Sequence, residues 1–219
     1  MPTKKSQITY LIAYFLVFTL NGIQRLIPDE TVSFLAPLVL YPIFCIWGVF
    51  LFRNHLISGW RMLTQAKIKS FGMLVFSLIA HLAVAILFAN LSMGLMQLFH
   101  LETELINDQS IYRAISMVPA IVLLPVTSFI GPIVEEVVFR HIVQENLKSH
   151  LSTWLIIILQ AVLFACIHVH SFELAEFIQV LPHFASGLVF GVLKAKTGNL
   201  WFSILLHSLN NLGGLIGIF

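Results

Sequence analysis

The sequence predicts an all-α fold: a polytopic transmembrane helical bundle of about seven spans with its N-terminus in the cytoplasm. Three observations predict it: the composition, the apolar runs, and the placement of lysine and arginine. Of 219 residues, 58% are hydrophobic and 10% charged, whereas a soluble domain carries about 25% charged residues. A chain of this size cannot bury that much apolar surface in one core and keep a wettable exterior. Lipid is the solvent that resolves the conflict. The formal net charge is only +2, and no basic stripe interleaved with aromatics is present, so nucleic acid is excluded as a partner and the lipid bilayer takes its place.

A span takes roughly 20 apolar residues. The candidates run Ile8–Ile27, Val32–Phe52, Phe71–Leu91, Ala114–Val138, Leu151–His168, Leu174–Leu193 and Leu200–Phe219. Lys4 and Lys5 ahead of the first run look like the start of a signal peptide, but no small-residue cleavage site follows Phe18, so the run reads as a retained first helix. With a cytoplasmic N-terminus, the inside holds Lys4, Lys5, Arg53, Arg61, Lys67, Lys69, Arg140, Lys148, Lys194 and Lys196, leaving Arg25 and Arg113 outside. That bias sets the orientation. The acidic Asp29, Glu30, Glu102, Glu104, Asp108, Glu173 and Glu176 fall outside. The segment 52–69, with Trp60 among its basic residues, reads as a loop, either interfacial against anionic headgroups or merely solvated. Cys45 and Cys166 read as buried free thiols. The organisation expected is one structural domain, with helices in 1–113 that carry no motif and a core in 114–219.

Ionisable residues at membrane depth are costly and usually functional, and here they cluster in the second half. Arg140 follows Glu136 by four residues, so the two share a helix face and can pair. Glu135 is turned by about 100° and is left to face something else. Taken alone, the pair could equally be a lateral salt bridge near a helix end. His168 lies as far beyond the turn at 148–152 as Glu135 lies before it, so the two are expected side by side in a helical hairpin. A carboxylate beside an imidazole can activate water. His207 and Asn211 are one turn apart and can both donate to a developing oxyanion, or can form a polar helix–helix seam with Gly213, Gly214 and Gly217 nearby. His183, after Pro182, is expected level with Asn211, lining the cavity or simply packing, and His170 is expected at the interface. His81 stands isolated. Pro119, Pro125 and Gly131-Pro132 are expected to break the helix just before Glu135, with a restart at Pro132.

Glu135-Glu136-x-x-x-Arg140, Phe164-x-x-x-His168 and His207-x-x-x-Asn211, in that order on successive spans, resemble the CPBP family, also called the Abi or CAAX-protease-like family of intramembrane proteases. The resemblance covers about 132–211, and the Gly187–Gly191 helix and the Lys194–Asn199 turn look similar too. It implies a helical bundle with a site open to membrane or cytoplasm. It implies that Glu135 is the general base, assisted by His168, that His207 and Asn211 stabilise the oxyanion, and that Glu136 and Arg140 hold these groups in place. The activity implied is intramembrane endopeptidase action on a membrane-associated protein or peptide, in the cell membrane. Proteins of the family linked to bacteriocin immunity or to scaffolding give the alternative, a non-catalytic role. A transporter would show matching helix breaks in both halves, and the first half has none. Members are often named metalloproteases. Glu135, His168 and His207 could supply a zinc set, but HExxH is absent, and metal-free catalysis without a cofactor is favoured.

Overall fold

The computed structural model describes residues 2–101, 106–169 and 173–216. Among them the chain is helical and no strand occurs. Its elements are α1 (Lys4–Tyr14), α2 (Glu30–Leu35), α3 (Pro37–Gln65), α4 (Lys67–Leu98), α5 (Ile106–Met117), α6 (Ala120–Leu147), α7 (Thr153–Cys166), α8 (Leu174–Gln179), α9 (Leu181–Thr197) and α10 (Leu200–Ile216). Among the described residues, four stretches are long and apolar enough to cross a membrane: Glu30–Gln65, Lys67–Leu98, Ala120–Leu147 and Leu174–Thr197. α7 and α10 are apolar but shorter. Large apolar side chains such as Phe50, Phe76, Ile79 and Leu87 are exposed on α3 and α4, as they are on a surface solvated by acyl chains.

Local chemistry sets the helix ends. Thr3 caps α1, Asp29 caps α2 through Val32 N–H at 2.9 Å, and Ser152 caps α7 through Leu155 N–H at 3.4 Å. Gly198, at φ 66°, closes α9 in the left-handed conformation, its N–H bonded to Lys194 O. The turn at 148–152 joins α6 to α7 as expected. The segment 52–69 is not a loop. α3 and α4, of 29 and 32 residues, run on through Arg53, Trp60 and Arg61 and meet at a single non-helical residue, Ala66. At ~1.5 Å per residue they are about 44 and 48 Å long, well beyond a ~30 Å hydrocarbon core. Polarity ends the apolar run there without ending the helix. The last turns of α3 are held by the far end of the chain. Asn199 donates to Gly59 O at 2.8 Å, and Trp201 Nε1 donates to Leu56 O at 2.7 Å.

α6 also departs from expectation. The chain breaks at Pro119, between α5 and α6, but not at Pro125 or Gly131-Pro132. The helix runs on through Pro125 and Pro132, with π turns at Val126–Ile130, between the two prolines, and at Val137–Val143, after the acid pair. Each proline lacks an N–H and its ring crowds the carbonyl four residues back. The i→i+5 turn at Val126–Ile130 gives the Pro132 ring room, and such turns recur at functional sites. Pro182 sits in the first turn of α9, where the chain does break from α8 at Val180.

Several side chains lie elsewhere than expected. Cys166 is exposed and Cys45 half-buried, so neither is the fully buried thiol expected. Lys194 is buried inside the bundle rather than in a loop and pairs with Glu145 at 2.7 Å. Glu176 is buried on α8. Gly213 and Gly214 face open space, whereas Gly187 lies against Ala161, where a Cβ would come within 2.9 Å of the backbone. The close crossing is therefore α7 on α9, not a seam on α10. Gly217 and His170, like Glu102 and Glu104, lie outside the described residues. One apolar core spans both halves of the chain, packing Tyr10, Tyr14, Phe44 and Phe52 with Val134, Val138, Phe139 and Phe164.

Candidate active site

The acid pair sits between the two π turns of α6, and the geometry separates the two carboxylates. Glu136 and Arg140 are fully buried and pair at 3.1 Å across one turn. The same Glu136 oxygen lies 3.0 Å from His207 Nδ1. Glu136 thus neutralises its own helix and fixes the α10 imidazole. With Nδ1 donating to Glu136, the other ring nitrogen, Nε2, faces Glu135 at 3.7 Å. Glu135 is 7% exposed, and its second partner is Tyr41 of α3, whose O–H donates to it at 2.8 Å.

Aromatic rings hold these charges. The Arg140 guanidinium lies over Phe164 at 4.5 Å, Phe190 at 5.3 Å and Phe139 at 5.8 Å, contacts that gain strength where water is excluded. Phe164 also packs edge-on against His168 and His207, both at 5.5 Å. Phe190 stacks on His207 at 4.8 Å and on His81 at 5.2 Å. His81 is therefore not isolated. It is buried, bonds Ser186 Oγ at 3.0 Å, and backs the ring that backs His207.

His168 follows the end of α7 and its ring lies 4.0 Å from that of His183, so His183 meets His168. The partners described for Glu135 are Tyr41 and His207. Tyr41, which bonds Glu135, also lines one cavity of ≈ 170 Å³ together with His168. Phe18, Asn21 and Gln24 close it from the turn after α1, with Pro37 and Ile167 completing the wall. Asn211 Nδ2 donates to Thr127 O at 3.0 Å, tying α10 to the first π turn. One N–H of that amide is used there and one remains.

Among the described residues, no three of His, Cys, Asp and Glu are grouped so as to hold a metal. Of the three residues weighed as a zinc set, Glu135 and His207 Nε2 face each other at 3.7 Å, while His207 Nδ1 is taken by Glu136. The sequence reading missed Tyr41, Phe190 and the turn at 18–24. A tyrosine inside an apolar run needs a partner for its hydroxyl, and that was the one available signal for Tyr41.

Residues 117–213 match the family model described as Type II CAAX prenyl endopeptidase Rce1-like. A relative from Bacillus subtilis (strain 168), the candidate membrane peptidase YdiL, is 30% identical over 113 residues, which is 52% of this chain and 43% of that protein. The chain is thus aligned with less than half of that relative's length. No solved structure matches it. The matched segment contains all three motifs and the whole of the acid–imidazole cluster, and over it the chain is similar to the Rce1-like family of type II CAAX prenyl endopeptidases, the CPBP group.

Proposed function

We propose that the protein is an intramembrane endopeptidase that hydrolyses a peptide bond of a membrane-associated protein or peptide with a water activated by Glu135. The observation that carries this reading is the placement of the Glu135 carboxylate: nearly buried, faced by His207, and held by the hydroxyl of Tyr41, which lines a cavity together with His168. In the reaction, Glu135 takes a proton from water while His168 orients it, and the oxygen adds to the scissile carbonyl carbon. The second N–H of Asn211 meets the charge that develops on the carbonyl oxygen, with the His207 ring, held by Glu136 through Nδ1, beside it. The C–N bond then breaks, and the proton held by Glu135 passes to the departing amine. Glu136 and Arg140 touch no reacting atom. They set the tautomer and position of His207, as outer groups do around a reacting imidazole. Metal-free catalysis follows from this division of labour, with residues 114–219 as the catalytic core and the cell membrane as its site.

Comparison of membrane-peptide profiles from cells expressing wild-type and Glu135→Ala protein tests the reading. Peptides that vanish in the variant, with the purified variant's thermal unfolding unchanged, are the expected result. Identical profiles would end the proposal. Chelation of the purified enzyme tests the metal question separately: activity should persist with no bound zinc, and loss of activity that added Zn²⁺ restores would replace the metal-free chemistry.

A further inference from the structure

Gln24 presents an unexplained polar atom. It lies on the short 3₁₀ turn Gln24–Leu26, and its backbone carbonyl is fixed by the Ser33 hydroxyl at 3.0 Å. Its side-chain Oε1 is buried and receives no hydrogen bond among the described residues. Leaving such an acceptor unmet carries its full desolvation cost, which persists only where something repays it.

The surrounding turn is built to hold this side chain in place. Asn21 adopts φ 50°, in the left-handed region. Gly22 N–H bonds Leu16 O at 2.9 Å, and a Cβ at Gly22 would lie 2.7 Å from that same oxygen. Arg25 N–H closes the turn on Asn21 O at 2.9 Å. Asn21 and Gln24 thereby line the cavity across from Tyr41 and His168. At ≈ 170 Å³ the cavity is below the ~300 Å³ at which pockets hold drug-sized ligands, and suits a single residue of a polypeptide.

We infer that this turn is a substrate-backbone subsite: Gln24 Oε1 accepts a hydrogen bond from a main-chain N–H of an extended peptide beside the scissile bond, with the Asn21 carboxamide next to it. The inference rests on the proteolytic reading above and adds to it. The ligand is the peptide backbone, and the residues that select it lie outside the matched segment 117–213.

The test uses full-length protein in nanodiscs. The probes are synthetic versions of peptides whose cleavage depends on Glu135, each made unmodified and with one backbone amide near the cut N-methylated. One methylated position should raise KM about fivefold with kcat nearly unchanged, the size of one neutral hydrogen bond. Gln24→Leu should raise KM by a similar factor on the unmodified peptide and remove the sensitivity to that methyl group. Gln24→Glu, which keeps an acceptor oxygen, should restore it. A Gln24→Leu enzyme with wild-type KM, or one that stays sensitive to the same methylation, would overturn the subsite. Should Gln24→Leu fail to fold, the wild-type scan still decides, because no sensitive position means no such bond. If no peptide depends on Glu135, the proteolytic reading fails first and the subsite with it.

Discussion

Arg140 is among the largest side chains that the described residues bury completely, and its surroundings determine how the site keeps its shape. Its charge is met by Glu136 and three phenyl rings. Removing one member of a buried ion pair leaves the other uncompensated and costs about 3–5 kcal/mol, whereas replacing both by apolar groups of similar volume is often near neutral. Glu136→Gln should therefore lower the thermal unfolding temperature in detergent sharply, and Glu136→Gln combined with Arg140→Met should recover much of the loss. Equal unfolding temperatures for wild type and Glu136→Gln would show that the pair is not what holds α6. Tyr41→Phe should behave in the opposite way, with unfolding little changed but turnover reduced about tenfold, the factor that ~1.4 kcal/mol of lost orientation of Glu135 gives. The Glu136–Arg140 pair was legible because it is local, four residues on one helix. Tyr41 lies 94 residues from Glu135 and His81 lies 105 from Ser186. No periodicity reports contacts of that range.

At the scale of elements, the seven apolar runs correspond in order to α1, α3, α4, α6, α7, the α8–α9 stretch and α10, while α5 fell in a segment assigned to loop and the start of a span. Boundaries failed where polarity and helicity part company, as in 52–69, and where proline was read as a break that π turns absorb. Glycine could be read only as a tendency to close packing. Which glycine carries the crossing depends on the opposing surface, and here that surface is Ala161 of α7. Gly187 O also accepts from Gln160 Nε2 at 2.8 Å and from Arg140 Nη2 at 3.3 Å. Gly187→Val should thus overpack the crossing by about 1–3 kcal/mol and disturb Arg140, visible as earlier thermal unfolding. Gly214→Ala, facing open space, should unfold within a degree or two of wild type. If the two variants melt alike, the α7–α9 contact is not the close one.

For the molecule as a whole, the question is which side of the membrane the cavity faces. Pro37 and Tyr41 stand at the start of α3, and Asn21 and Gln24 follow the end of α1. The cavity therefore lies toward the end of the bundle opposite Lys4, Lys5 and Gln65. Arg113 and Glu30, which pair at 3.6 Å, mark that same end, while the turn at 148–152, with Lys148, belongs to the other. If the positive-inside rule orients this chain, the end with Lys4, Arg61, Lys67 and Lys148 is cytoplasmic and the cavity lies toward the outer face. A cytoplasmic N-terminus and a site open to the cytoplasm then do not fit together. Thiol labelling in intact cells separates the two. In a protein with Cys45 and Cys166 replaced by serine, Asn21→Cys should react with a membrane-impermeant maleimide added outside, and Gln65→Cys should react only after permeabilisation. The reverse pattern would turn the molecule over, setting the charge bias aside and giving the cavity to cytoplasmic substrates. Labelling of both from outside would mean that α3 does not cross, and would remove the longest apolar stretch, Glu30–Gln65, from the set of spans.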